Sequence, residues 1–548
     1  MIPVIPAPTR IETIDGAPFV LDAGTRVIAS EALRPIARWF TTELAHFTDV
    51  APGEGLAAGG VIQLELVTED AELAALPATG GVRADGGDAD GERYRLAIQS
   101  AGIRVQAFTA EGIFRGVTSL LQLAATTSVH EGTITLPSLT IVDTPRFAWR
   151  GLSLDVVRCF FPPEVVKRVI DVLALYKASV LHLHLTDAEG WRLEIDRWPR
   201  LTEVGGQTAA FGRPGGFYTK DEYRDLVAYA AARFITIVPE VDMPGHTAAI
   251  YQAYPELAGD GVHAETTNQD RASHFQVMHP DHPRIFDFVT DVLTEIAELT
   301  PGAYLHIGGD EALGMDEELY ARFVQRVQPI VNELGKNVVG WQETARAGLA
   351  PSDLAQLWIS PQIGDPGEFD LSQLPEDIDI DAIGLDPELM TAFAEMFTVA
   401  GRDLGLALQQ GADIIVSQST RAYLDTKYAE PSSDPAQEAD WKRLGMPFYP
   451  RSTVAEFFTW DPATIQPELS EERVAGVEAG IWCETITNAS DLFFLLLPRL
   501  PGLLEKGWSP RIAEDAAWAG YGPRLAVQAR LWEQLDWPYY RSSVVWPD

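Results

Sequence analysis

The rhythm of apolar and polar positions in this chain changes near residue 145. Before it, short strand-like runs (Val61 to Val67, Tyr94 to Ile98, Ile103 to Gln106) are separated by Gly/Asp-rich turns such as Asp85-Gly86-Gly87-Asp88. One segment has helical spacing instead: over Ala110 to Ala125, Ile113, Val117, Leu120, Leu121 and Leu123 fall near a single stripe. These patterns predict a small α+β domain over residues 1–145, with Asp143-Thr144-Pro145 as its exit.

After Arg146, eight short apolar runs are spaced by longer amphipathic stretches. The runs are Gly151 to Asp155, Val180 to Leu185, Phe234 to Pro239, Tyr304 to Gly308, Val338 to Trp341, Leu354 to Trp358, Ile414 to Gln418 and Val477 to Trp482. Pro163 to Tyr176 and Lys220 to Ala232 read as two of the helices between them. Eight strands with intervening helices is the count of an α/β (β/α)8 TIM barrel, expected here to occupy residues 146–548 together with C-terminal helices. Polar and aromatic residues gather just past the C-terminal ends of the runs: Arg158, Asp187, Asp242 with His246, Asp310 with Glu311, Trp341, Trp358, Tyr423, and Trp482 with Glu484. In such a barrel these positions line one mouth, where active sites are built.

Composition narrows the classes of partner. The 548 residues are 46% hydrophobic and 22% charged, with 14 Trp, which is ample for a large core and gives no sign of disorder. A formal charge of −38, spread along the chain, repels phosphate backbones and anionic lipid headgroups, so neither nucleic acid nor membrane is expected as a partner. The segment Met1 to Pro8 has no basic region and no unbroken apolar core, so no signal peptide is read there. Leu492 to Leu497 is far short of the roughly 20 apolar residues of a membrane helix. Two cysteines, Cys159 and Cys483, make no disulfide framework, and a cytoplasmic setting is expected.

The sharpest chemical signal is His306-Ile307-Gly308-Gly309-Asp310-Glu311. Adjacent side chains of a regular strand point to opposite faces, so both carboxylates reach one site only if the backbone leaves the pleat, and Gly308-Gly309 permits that. Two carboxylates held close raise one another's pKa, leaving one protonated near neutrality to act as an acid, as cleavage of a glycosidic bond requires. Two other classes remain open on the residues alone. His182-x-His184 at a strand end is a recognisable ligand spacing for a metal-dependent amidohydrolase. The aromatic strand ends also suit a catalytically silent sugar-binding protein.

The acid segment resembles the His-x-Gly-Gly-Asp-Glu signature of family 20 glycoside hydrolases, the β-N-acetylhexosaminidases. Further segments resemble that family in order: Trp149-Arg150-Gly151, Leu154-Asp155, Arg158, Phe160-Phe161, His182 to Asp187, Gly190-Trp191-Arg192, Pro199 to Thr202, Pro239 to His246 and Gly340-Trp341. The resemblance covers about residues 145 to 505, and the N-terminal segment resembles the small domain preceding the family's barrel. It implies a retaining exo-hydrolase of terminal β-linked GlcNAc or GalNAc in which the substrate's own acetamido oxygen is the nucleophile, with no cofactor and no metal. Glu311 would be the general acid/base, Asp310 the partner steering the acetamido group, and Tyr423 a donor to the acetamido oxygen. Trp341, Trp358 and Trp482 match the aromatic box, Arg150 the Arg that forks onto sugar hydroxyls, and Asp425 and Glu484 acceptors for the remaining hydroxyls. Asp187 and His246, grouped with the binding residues, look like the pair that positions Glu311. The expected partner is a small glycan or glycoconjugate, met by a monomer or homodimer. Three departures stand out: Cys159 where the family usually has His, Ala188-Glu189 in place of a polar pair, and a long, acidic, irregular stretch from Ile359 to Gly411.

Overall fold

The computed structural model describes residues 2–54, 59–258, 275–313, 315–359, 387–447 and 449–547. The N-terminal part is a seven-stranded mixed sheet in the order Arg10–Thr13, Leu139–Asp143, Tyr94–Gln99, Gly102–Ala107, Val61–Leu66, Arg26–Ile28, Gly53–Glu54. The three runs read as strands all lie in it. The predicted helix forms over Ala110–Ala125, capped by Thr109 Oγ1 accepting the Gly112 N–H at 3.0 Å. Its burial on every side follows from its place between sheet and barrel: Arg115 donates to the Phe234 carbonyl at 3.2 Å and Gln122 to the Leu175 carbonyl at 2.7 Å.

The second part is a closed parallel barrel of eight strands: β1 (Trp149–Asp155), β2 (Val180–His184), β3 (Thr236–Glu240), β4 (Tyr304–His306), β5 (Asn337–Trp341), β6 (Leu354–Leu357), β7 (Asp413–Val416) and β8 (Val474–Ile481), with β8 pairing back onto β1. All eight predicted runs are these strands, so the (β/α)8 expectation holds. Helices such as Pro163–Leu175 and Lys220–Ala231 cover the outside, the latter entered through a capping box at Thr219 and Glu222.

Of the stretch read as irregular between Ile359 and Gly411, residues 360–386 lie outside the described residues. The rest is helical, over Pro387–Ala400 and Asp403–Gln410, a correction to that reading. Its packing against the barrel explains the helix: Phe397 meets Trp358 edge-on at 6.2 Å, and Gln342 donates to the Ala400 carbonyl at 3.2 Å. Among the described residues, no helix is long and apolar enough to cross a membrane.

Candidate active site

β4 stops at His306, and the chain then leaves the pleat through left-handed φ values at Gly308 (66°), Gly309 (103°) and Glu311 (48°). Gly308 is obligatory on two counts: its φ is positive, and a Cβ there would lie 1.7 Å from Asp242 Oδ1. The Gly309 N–H donates to that same oxygen at 3.1 Å, pinning the turn to the end of β3. The kink brings both carboxylates to one imidazole, with Asp310 Oδ2 3.7 Å and Glu311 Oε2 3.6 Å from His246 Nε2. The departure from the pleat that the sequence required is therefore present.

Burial raises the Glu311 carboxyl; His246 opposes the rise and Asp310 adds to it, leaving it at about 7. The Asp310 carboxyl is raised too, by burial against the opposing pull of His246. Asp242 is pushed well above the carboxylate range by burial and by the charge of Asp310. Burial would lower the His246 pKa, but Asp187, Asp242 and Asp310 override it and hold the ring as a cation. His246 Nδ1 lies 3.0 Å from Asp187 Oδ1, while Asp187 Oδ2 meets His184 Nε2 at 2.8 Å and Arg158 Nη2 at 2.7 Å. For Asp187, burial alone would raise the pKa, yet Arg158 and His246 carry it well below the usual range. Protonated acid and imidazolium thus stand side by side, an arrangement suited to delivering a proton to a leaving oxygen.

Next to this pair the barrel mouth is walled by rings. Trp341 and Trp482 lie 5.9 Å apart, Tyr423 meets Trp482 at 5.8 Å and Tyr449 at 5.8 Å, and Trp358 packs in the same cluster. Each of the two deep indoles is tied to a buried carboxylate: Trp341 Nε1 donates to Glu240 at 2.9 Å, and Trp358 Nε1 to Glu343 at 3.1 Å. Tyr423 reaches its place because Gly480 has no side chain; a Cβ there would sit 2.8 Å from the phenol ring. Two residues past Tyr423 and Trp482, both Asp425 carboxylate oxygens and Glu484 Oε2 are buried and meet no side-chain donor among the described residues. Burial raises both carboxyls, and Glu484 adds to the rise at Asp425.

Residues 147–367 and 394–511 match the model of the glycosyl hydrolase family 20 catalytic domain, and residues 1–144 match that of glycosyl hydrolase family 20, domain 2. A β-N-acetylhexosaminidase of Cellulomonas fimi is 36% identical over 553 residues, covering 100% of this chain and 97% of that one. This chain belongs to glycosyl hydrolase family 20. Among solved structures, the family 20 hydrolase is similar to N-acetyl-β-hexosaminidase of Streptomyces plicatus (TM-score 0.81, 37% identity, 99% of this chain and 97% of that one). It is equally similar to the β-N-acetylhexosaminidase of Streptomyces coelicolor (TM-score 0.81, 38% identity, 99% and 98%).

In this family 20 glycoside hydrolase the mouth brings together Asp310, Glu311, Tyr423, Trp341, Trp358, Trp482, Asp425, Glu484, Asp187 and His246. Arg150 is the exception and is corrected. It lies near the start of β1, at the barrel end opposite the mouth, with no exposed surface. Its guanidinium donates to Glu92 at 2.6 Å and to the carbonyls of Lys177, Phe147 and Ala148, so it ties the barrel floor to the N-terminal part. The arginine at the mouth is Arg158, three residues beyond β1, ion-paired to Asp187 and, at 3.2 Å, to Glu189. Burial raises the Glu189 carboxyl to about 8 against the pull of Arg158, so the Ala188-Glu189 departure places a further carboxyl at the mouth. Tyr449 was not singled out, because its loop carries no periodic signal. The amidohydrolase spacing also finds its explanation: all four ring nitrogens of His182 and His184 face carboxylate oxygens, at 2.5–3.0 Å, in an ion-paired scaffold.

Proposed function

We propose that this family 20 hydrolase removes terminal, non-reducing β-linked GlcNAc or GalNAc with retention, using the substrate's acetamido group as the nucleophile. The observation that carries the reading is the placement of Asp310 and Glu311 on one kinked turn beside a ring-walled recess. Such neighbours approach a sugar from the same side, whereas a protein nucleophile and its acid partner flank the scissile bond.

In the first step the acetamido carbonyl oxygen bonds to C1 as the C1–O glycosidic bond breaks, and Glu311 passes its proton to the departing oxygen. Asp310 accepts from the acetamido N–H and offsets the positive charge growing on the ring, with Tyr423 donating to the acetamido oxygen. In the second step water attacks C1, returns a proton to Glu311, and reopens the oxazolinium ring to the acetamide. Trp341, Trp358 and Trp482 enclose the acetyl methyl and the sugar face; Arg158, Asp425 and Glu484 meet the hydroxyls. Burial of three carboxylate oxygens at Asp425 and Glu484 that no side-chain donor among the described residues meets supports that last assignment, since such groups are costly without a donor. Two free cysteines and the acidic surface suit a cytoplasmic enzyme acting on small glycans or glycoconjugates, as monomer or homodimer.

The test is hydrolysis of an aryl β-GlcNAc and the matching aryl β-glucoside by wild type, Glu311→Gln and Asp310→Asn. Cleavage confined to the acetamido substrate, with losses of about 100-fold or more in both variants, is expected. Equal cleavage of the plain glucoside, or indifference to both substitutions, would overturn the reading.

A further inference from the structure

Beneath the site, a chain of buried polar side chains crosses the barrel, and its centre is Glu240. β2 aligns His184 opposite Glu240 of β3, and Glu240 in turn pairs with His306 of β4. Glu240 Oε2 lies 3.0 Å from His182 Nε2 and 2.5 Å from His184 Nδ1. Its Oε1 takes the Trp341 indole N–H at 2.9 Å and lies 3.1 Å from His306 Nδ1. A carboxylate offers about four acceptor positions, and four rings from β2, β4 and β5 surround this one.

Both ends of the chain reach the mouth. On one side is Trp341, part of the aromatic wall. On the other, His184 continues through Nε2 to Asp187 and from there to His246 and Glu311. We propose that Glu240 is a positioning residue that couples the acetamido pocket to the general acid. One oxygen holds the Trp341 indole, and the other fixes His184 so that Asp187 orients His246 toward Glu311. The inference rests on the acetamido-assisted reading above.

The electrostatics agree with the geometry. Burial would raise the Glu240 carboxyl, but His306, His184 and His182 outweigh it and hold it well below its usual range; burial lowers His306 itself, so the two β2 imidazoles, both raised, carry the positive charge. His184 is held well above its ordinary value: burial would lower it, and Glu240 and Asp187 raise it. An imidazolium lying between two carboxylates donates to both and has no alternative tautomer, which fixes its orientation. Other charged groups close the ring around Glu240: Glu478 of β8 behind His182 at 2.9 Å, Asp242 two residues on, and Asp310, whose carboxyl Glu240 pushes up. Glutamine at position 240 would keep the shape but offer one acceptor, turning its own N–H groups against either the indole or the imidazolium.

The test uses the whole 548-residue chain, with Glu240→Gln and Trp341→Phe compared to wild type. Two substrates separate the roles: phenyl β-GlcNAc, whose leaving group needs the Glu311 proton, and 2,4-dinitrophenyl β-GlcNAc, whose leaving group does not. A thiazoline mimic of the bicyclic intermediate reads the acetamido pocket alone. For Glu240→Gln, kcat/KM on the phenyl substrate is expected to fall about 10–100-fold more than on the dinitrophenyl one, with thiazoline affinity also weakened. Trp341→Phe retains one aromatic ring but deletes the indole N–H together with the five-membered ring, so thiazoline affinity falls with the lost packing, while coupling through Glu240 requires the phenyl-to-dinitrophenyl ratio to fall there too. An unchanged ratio in either variant overturns the proposal, and Trp341→Phe alone decides if Glu240→Gln does not fold. A wild type that cleaves neither substrate defeats the hexosaminidase reading itself, whereas normal cleavage with ratios that the variants do not alter defeats only the coupling.

Discussion

Replacing His246 by Gln tests the electrostatic account of the acid most directly. Glu311 must be protonated for the first step, so kcat/KM should fall as pH rises through its pKa of about 7. His246, held as a cation 3.6 Å from Glu311 Oε2, favours the carboxylate form and so depresses that pKa. A unit charge at such a separation is worth about 4 kcal/mol at an effective dielectric near 20, equivalent to about three pH units. Opposite charges at this range move measured carboxylates by about one to three units. Removing the cation also takes from Asp187, which itself raises Glu311, one of its cationic partners, leaving only Arg158 and His184 to offset it. Both effects have the same sign, so the alkaline limb of His246→Gln should move to higher pH by about one to three units. The limb reports the Asp310–Glu311–His246 group as a whole, and its displacement is what the substitution changes. Hydrolysis of 4-nitrophenyl β-GlcNAc between about pH 5 and pH 10 measures it. Loss of orientation lowers the rate at every pH; the variant-to-wild-type ratio should nevertheless climb with pH. A limb that stays in place or moves to lower pH would refute the reasoning.

Gly308→Ala is expected to cost about 2–4 kcal/mol, from the left-handed φ and the collision with Asp242 together, and an unshifted urea midpoint would contradict this. Arg150→Ala strips one of three guanidinium partners from buried Glu92 and should cost about 3 kcal/mol in unfolding while leaving KM unaltered in the folded enzyme. Arg158→Ala should instead raise KM by about tenfold or more; a KM effect in the Arg150 variant would return that residue to the sugar site. Glu484→Ala should raise KM by about 10–100-fold, the worth of a hydrogen bond to a charged acceptor, and an unchanged KM would remove Glu484 from hydroxyl recognition.

What the sequence disclosed depended on whether a feature needed local or distant residues. The eight barrel strands were legible because each is a short apolar run, and the acid turn because Gly308-Gly309 precedes two carboxylates within the same segment. Arg150 was misplaced although the rule that mouths form at the C-terminal ends of strands already told against it: it is the second residue of β1, and Arg158 follows β1. The helices at 387–410 escaped notice because their apolar positions answer to Trp358 and Gln342, which lie on the barrel tens of residues earlier. Glu240 marks the limit most clearly. An acid inside a barrel strand announces that it must have partners, since an unpaired buried charge is prohibitive. The partners themselves come from residues 182, 184, 306 and 341, and only the closure of the barrel brings them within 3.1 Å of one carboxylate. The sequence therefore exposes the need for a charge network, while the topology decides that the network runs from the aromatic wall to the catalytic acid.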